Sequence, residues 1–327
     1  MKRATIYSIA QELDISASTV SRAFSKPELV KESVRERILA TAQRLGYEPN
    51  RAARGLATGR TGLIGLLIPD ITNPFFPPLV RAIEQAAAGA GAEVLLVDSG
   101  ASGSNEPGLI GRIKAQVDGL IVASPRMATA GLKRAVAGVP TVVVNRAVQG
   151  LPTVVCDNSG ALREAAEHLY SRGHRKVVLL RGPGAAWAAG RRAQAVRRWA
   201  EGRDVELVEL GPLEAQFEDG RAAVGELVGS GATAIFAFDD LMACGVIAGL
   251  SEHSLRVPAD CSVVGCDDVL LARTVTPSLS TVTAPVEELG GRAVEMLSRV
   301  VAGETVKDEV VTGTLTLRGT TGDAPRS

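Results

Sequence analysis

Polar residues gather where the apolar runs of this 327-residue chain stop. Asp70-Ile-Thr-Asn73-Pro-Phe75-Phe76 follows GLIGLLI (62–68), and Asn145-Arg146 ends the run that begins TVVV at 141. Asp239-Asp240 follows TAIFAF (233–238), and Asp267-Asp268 follows the run CSVVG (261–265). Arg192 falls early in the predicted helix after KVVLL (176–180). Carboxylates accept hydrogen bonds from hydroxyls, a guanidinium grips oxygens, and phenylalanine rings cover an apolar face. Together these groups suit a cleft for a small polar ligand. Each has a plainer reading when taken alone. Asp240 at a strand–helix junction could simply cap a helix, and Phe75 and Phe76 could simply pack a core. Their coincidence at strand ends favours a pocket.

A second chemistry stands at the N-terminus. TIYSIAQELDISASTVSR (5–22) reads as two short helices about a tight turn at Asp14. Ser16 is an expected N-cap for the second helix. That helix turns Val20 and Ala23 inward and exposes Ala17, Ser18, Ser21 and Arg22. Small, polar and basic groups on one helix face can enter a DNA major groove and reach base edges. The alternative is a surface helical hairpin that touches nothing. A third helix is predicted over Ser33–Gly46, opened by a capping box of Ser33 and Glu36. Residues 1–60 hold 11 Lys/Arg against 6 Asp/Glu, an excess of +5, while the rest carries 25 basic and 30 acidic residues. A basic module suits phosphate contacts, and an acidic body resists non-specific attachment to DNA.

The elements that must position the strand-end residues repeat in two series. GLIGLLI, AEVLLV (92–97), GLIVA (119–123) and TVVVN (141–145) read as buried parallel strands, with helices over Pro74–Gly89 and Gly108–Gln116. KVVLL, VELVEL (205–210), TAIFAF and CSVVG form the second series. Its helices are predicted over Ser159–Ser171, Gly190–Glu201, Leu213–Val228 and Asp240–Ser251. Two such series imply an α/β fold with two doubly wound subdomains, and ligands there bind beyond the carboxyl ends of the strands.

Other functions fit poorly. The chain has no apolar run of membrane-spanning length, and no apolar stretch follows Lys2 and Arg3 as a secretory signal would require. Cys156, Cys244, Cys261 and Cys266 form no CxxC pair, so reduced, mostly buried thiols in a cytoplasmic protein are expected. With His168, His174 and His253 alone, none at ligand spacing, neither a zinc site nor any other metal or cofactor is implied. No catalytic constellation is legible. GPGAAWAAGRR (182–192) imitates a phosphate loop, but the spacing is one residue long and Arg191 stands where Lys is needed. A periplasmic solute-binding protein would need a signal peptide and would not carry the basic N-terminal module.

The order of these landmarks resembles the lactose-repressor (LacI) family of bacterial transcription regulators over essentially the whole chain. The segments that carry it are TIYSIAQELDISASTVSRAF, LGYEPNRAARGLATGRTGLIGLLIPDITNPFF, VVVNR, VCDNSGALREAAEHLYSRGHRKVVLL, AFDDLMACG, LRVPADCSVVGCDD and PSLSTV. The resemblance implies an all-α helix-turn-helix headpiece over 1–48 and a hinge helix and linker over 49–60. An effector-binding and dimerising core resembling periplasmic sugar-binding proteins follows over 61–327. Its first subdomain is expected at about 61–158 and 285–305, its second at about 159–284 and 306–327. A homodimer on a pseudo-palindromic operator is implied, controlled by a small effector that a mixed polar pocket suggests is a sugar or sugar derivative. Control by a partner protein is the alternative within the same fold.

By position, the resemblance makes Ala17, Ser18 and Arg22 base-reading residues. Tyr7, Ser16, Thr19 and Ser21 become phosphate contacts. Asn50, Ala53 and Leu56 belong to the hinge helix, with Leu56 wedging into the central minor groove. Asn73, Phe75, Phe76, Asn145, Arg146, Arg192, Asp240 and Asp267 are carried over as the effector pocket. Three departures stand out. Gly55 weakens the hinge helix by up to about 1 kcal/mol relative to Ala. Asn145 replaces a usual Asp, and Asp239 a usual Asn. The polar tail ending at Ser327 has no leucine heptads, so a dimer is the expected assembly.

Overall fold

A computed structural model describes residues 4–25, 27–47 and 60–326, and the chain divides into two compact units between Gly62 and Leu63. The expected hinge positions Asn50, Ala53, Gly55 and Leu56 lie outside the described residues.

In the first unit, helices α1 (Ile6–Leu13), α2 (Ala17–Ser25) and α3 (Glu32–Arg44) enclose Ile9, Ala10, Val20, Ala23, Ile38 and Ala42. α1 starts at a reciprocal cap between Thr5 and Ser8: the Ser8 N–H donates to Thr5 Oγ1 and the Thr5 N–H to Ser8 Oγ. It ends at Asp14, whose left-handed backbone (φ 54°) lets its N–H reach the Ala10 carbonyl. Asp accepts this conformation more readily than most residues. Ser16 caps α2 as expected, its Oγ accepting the Thr19 N–H at 3.1 Å. The box expected of Ser33 and Glu36 does not form. α3 begins at Glu32 behind Lys31, which offers no side-chain cap, so Ser33 is already inside the helix.

The second unit holds two sheets. The first comprises β1 (Leu63–Ile68), β2 (Glu93–Asp98), β3 (Gly119–Ala123), β4 (Thr141–Val144), β5 (Thr153–Asp157) and β11 (Glu309–Thr312), in the order β11-β5-β4-β3-β1-β2, all parallel. The second comprises β6 (Lys176–Leu180), β7 (Glu206–Leu210), β8 (Ala234–Phe236), β9 (Ser262–Asp267), β10 (Ser280–Thr283) and β12 (Thr314–Thr316), in the order β12-β10-β9-β8-β6-β7. Only β12 runs antiparallel to its neighbour in this sheet.

Helices α4 (Phe76–Gly89), α5 (Glu106–Ile113), α6 (Thr129–Ala135) and α13 (Val286–Val301) cover the first sheet. The second carries α7 (Ser159–Ser171), α8 (Trp187–Ala200), α9 (Phe217–Ala222), α10 (Val224–Ser230), α11 (Asp240–Glu252) and α12 (Leu270–Thr274). Near-continuous apolar runs such as Leu66–Ile68 and Leu120–Val122 are buried on both faces, as parallel strands between helix layers must be.

The chain passes between the sheets after β5, after β10 and between β11 and β12. The last passage is at Gly313, since β11 pairs with β5 of the first sheet. Residues 309–312 therefore belong to the first subdomain, not the second as the expected boundary at 306 would have it. The passages touch. Gly313 donates its N–H to the Asp157 carbonyl, and a Cβ there would collide with Asn158 Oδ1. Glycine is required by close approach, and a compact hinge results.

Candidate functional site

The carboxyl ends of both sheets face one cleft, and the side chains that line it come from strand ends, from the loops after them and from the start of α8. Its larger cavity measures about 330 Å³ and is lined by Phe75, Asn145, Cys156, Asp157, Trp187 and Arg192 among others. A narrower extension is lined by Asn73, Phe75, Phe76, Arg126, Asn145, Trp187, Arg192, Phe238, Asp239 and Asp267. Of the eight effector residues expected from sequence, the structure gathers Asn73, Phe75, Phe76, Asn145, Arg192 and Asp267 here. Phe75 and Phe76 serve twice, packing edge-to-face at 5.2 Å within the core while lining the cleft.

Two expected residues point elsewhere. Asp240 is 1 % exposed; its carboxylate accepts from Thr281 Oγ1 at 2.6 Å and from the Val269 N–H at 2.9 Å. It ties α11 to β10 and to the start of α12 beneath the cleft. Its neighbour Asp239 takes the cleft position. Asp239 also caps α11 through the Met242 N–H at 2.9 Å, which leaves its second oxygen to accept from Asn73 Nδ2 at 3.1 Å across the cleft. Arg146 turns into the loop after β3, donating to the carbonyls of Pro125 and Met127 and to Thr129 Oγ1. The cleft guanidinium of that subdomain is Arg126, which sequence reasoning missed. Its backbone N–H is held by buried Glu106, and its side chain meets Glu214 of the other subdomain at 3.4 Å. Trp187 was missed as well, although an aromatic in a failed phosphate loop was its visible signal.

Arg192 organises the floor. It donates to Asp267 Oδ1 at 2.5 Å and to the Phe238 carbonyl at 2.6 Å, and it lies 4.8 Å from the Phe238 ring centroid. Gly182 leaves room for that ring, since a Cβ there would enter it. Arg192 Nε is buried without a protein partner. Burial works against the guanidinium's charge, but Asp267, together with the other groups around it, offsets this and holds its pKa above the ordinary value. Burial raises Asp267 above the usual carboxylate range despite Arg192. Burial, reinforced by the Asp267 charge, pushes Asp239 up to about 7. The site therefore combines a fixed cation, two acceptors, cross-cleft amide and guanidinium donors, and four aromatic rings. No thiol is poised to react: burial raises Cys156 to about 12.

The Asp239 shift has a direct consequence. The folded protein keeps a proton that the unfolded chain releases near pH 4, so stability present at low pH is lost as pH rises towards 7. Asp239→Asn should flatten the dependence of urea-unfolding free energy on pH between 5 and 8, by at most about 1.4 kcal/mol per pH unit. Identical slopes for variant and parent would remove Asp239 as the titrating group.

In the first unit, Tyr7, Ser16, Ser18 and Arg22 are exposed, and Ala17, Thr19 and Ser21 half-buried. All lie on or beside the outer face of α2, except Tyr7, which is 71 % exposed on α1.

Comparison with known proteins agrees with both units. Residues 5–50 match the model of bacterial regulatory proteins of the lacI family, and residues 166–321 match a periplasmic binding protein-like domain. Catabolite control protein A of Priestia megaterium is 32 % identical over 319 residues, covering 94 % of this chain and 95 % of its own. The structure of the lac repressor dimer bound to operator and the anti-inducer ONPF superposes with a TM-score of 0.87 at 26 % identity, covering 98 % of this chain and all of that one. A LacI family transcriptional regulator from Enterococcus faecalis V583, with bound ribose, gives a TM-score of 0.72 at 27 % identity over 81 % of this chain and all of its own. A helix-turn-helix unit, two parallel-sheet subdomains about a polar cleft, and likeness over nearly the full length together place this chain in the lacI family of bacterial regulatory proteins.

Proposed function

We propose that this protein is a homodimeric transcriptional repressor that acts in the cytoplasm on pseudo-palindromic operator DNA. A sugar or sugar derivative in the cleft sets its affinity for that operator, and no catalysis is involved. The observation that carries the effector reading is the Arg192–Asp267–Asp239 constellation, with Asn73 reaching Asp239 from the opposite subdomain and Arg126 of that subdomain lining the same cleft. Hydroxyls can replace the Asn73–Asp239 contact one for one, and Trp187, Phe75 and Phe238 offer faces to an apolar ring surface. A ligand that touches both subdomains shifts their relative position only by the contacts it gains in one arrangement over another. The lac repressor and ribose-bound relatives support the reading by their likeness. No helix among the described residues is long and apolar enough to cross a membrane.

The test starts from operators selected out of random duplex DNA. Gel shifts on the selected duplex then use a panel of pentoses, hexoses, disaccharides and their phosphates. At least one sugar should change operator affinity tenfold or more, and Asp267→Asn should abolish that response. Absence of any preferred duplex would overturn the DNA reading. A preferred duplex with no sugar response would overturn the effector reading alone.

A further inference from the structure

The second subdomain has another cavity, of about 410 Å³, on its outer surface between α7 and α8. Arg163 of α7, Arg191 and Arg198 of α8, and Arg203 just beyond α8 all line it, with Ser159, Gly160, Gln194, Ala195 and Trp199. Four guanidiniums meet here although the chain beyond residue 60 has an acidic excess of five. Arg163 and Arg198 are exposed and form no ion pair with any described residue. Arg191 hydrogen-bonds the neutral Gln194 at 3.1 Å, feels the charge of Asp157, and lies 5.7 Å from the Trp187 ring centroid.

Two carboxylates beside the groove are already engaged. Glu167 accepts from Trp199 Nε1 at 2.9 Å and lies 3.6 Å from Arg203. Asp157 accepts from the Ser159 N–H and hydroxyl at the start of α7, which holds it below the usual carboxylate range. No Cβ would meet anything within 4 Å at Gly160, so the mouth stands open.

A purely solvated charged face would spread its cations apart. Like charges lining one groove repel one another, and the repulsion is relieved by a shared anion. Guanidinium forks match phosphoryl oxygens in pairs, so four of them suit a ligand with more than one anionic group. We propose that this groove binds a small phosphorylated anion carrying two phosphoryl groups, or one phosphoryl and one carboxylate, at a site separate from the sugar cleft.

The groove also has a route to the cleft. Arg191 and Ser159 line both cavities, and α8 carries Arg191 on the groove side and Arg192 on the cleft floor. An anion that draws α7 and α8 together acts on the helix that holds Arg192. It can thus bias the cleft without entering it.

The test is calorimetric titration of the full chain with inorganic pyrophosphate, at constant ionic strength, with inorganic phosphate as the single-group comparison. Pyrophosphate should bind saturably and more tightly than phosphate. The double substitution Arg163→Gln, Arg198→Gln should weaken it at least tenfold, with no loss of melting temperature, since both side chains are exposed. Arg126→Gln, which alters only the cleft, should leave pyrophosphate affinity intact. Absence of saturable binding overturns the proposal. So does binding that survives the double substitution, or binding lost in Arg126→Gln, which would place the anion in the cleft.

Discussion

Arg192→Ala should lower the stability of the second unit by about 3–5 kcal/mol at pH 7, the usual cost of stripping one partner from a buried ion pair. Asp267 stands 2.5 Å from that guanidinium with only 6 % of its side chain exposed, and the buried Asp239 lies beside it. Without the cation both carboxylates share a desolvated floor. The deficit should shrink towards pH 5, where each carboxylate can take up a proton, because burial has already raised both. Arg192→Lys should recover little of the loss, because an ammonium cannot bond Asp267 and the Phe238 carbonyl in one plane. Urea unfolding at pH 5 and pH 7 measures both effects. A loss below about 1 kcal/mol at pH 7, or one that does not depend on pH, would show that the pair is not the keystone of the cleft.

The elements that hold this floor were largely readable, because buried parallel strands announce themselves as apolar runs. β1, β3 and β6 stand where such runs predict them. α7 spans Ser159–Ser171 as its helical periodicity predicts. Sequence failed where apolar character is short or interrupted. β5 (TVVCD) is half-buried over its last three residues, and β11 (EVVT) buries only Val311. The helix expected over Leu213–Val228 begins later, after Gln216, and divides at Ala223 into α9 and α10.

Local chemistry does not say which member of a polar pair enters the cleft: the resemblance chose Arg192, which lines it, and Asp240, which does not. Asp239 is the extended N-cap and Asp240 the first residue of α11, while Arg191 and Arg192 project about 100° apart on α8, so neighbours of identical chemistry take different tasks. The choice depends on partners far away in sequence: Asn73 and Thr281 for the two aspartates, Asp267 for Arg192. Capping was misjudged for a related reason. A Glu three residues after Ser33 matches a familiar pattern, whereas Ser8 answers Thr5 with a hydroxyl and leaves no such trace.

Arg22→Ala should weaken binding to the preferred operator by about 1–3 kcal/mol per half-site and relax selectivity at one base pair of each. α2 turns Val20 and Ala23 into the core, which directs Arg22 to the opposite, exposed side. Its neighbours offer less. Ala17 is half-buried against the core, and the Ser18 hydroxyl is shared with Ser16 Oγ at 2.8 Å. Arg22 makes no ion pair with any described residue, so its guanidinium is available to bond guanine O6 and N7 together. For the same reason the substitution should leave the melting of the headpiece nearly unchanged. Binding to duplexes carrying each of the four bases at every half-site position separates two roles. A base-reading Arg22 predicts that one column of preference collapses while the others hold and the salt dependence barely moves. A phosphate-bound Arg22 predicts equal weakening for every duplex and a salt slope shallower by about one counterion per subunit, and that result would move base reading to Ser18 and Ala17.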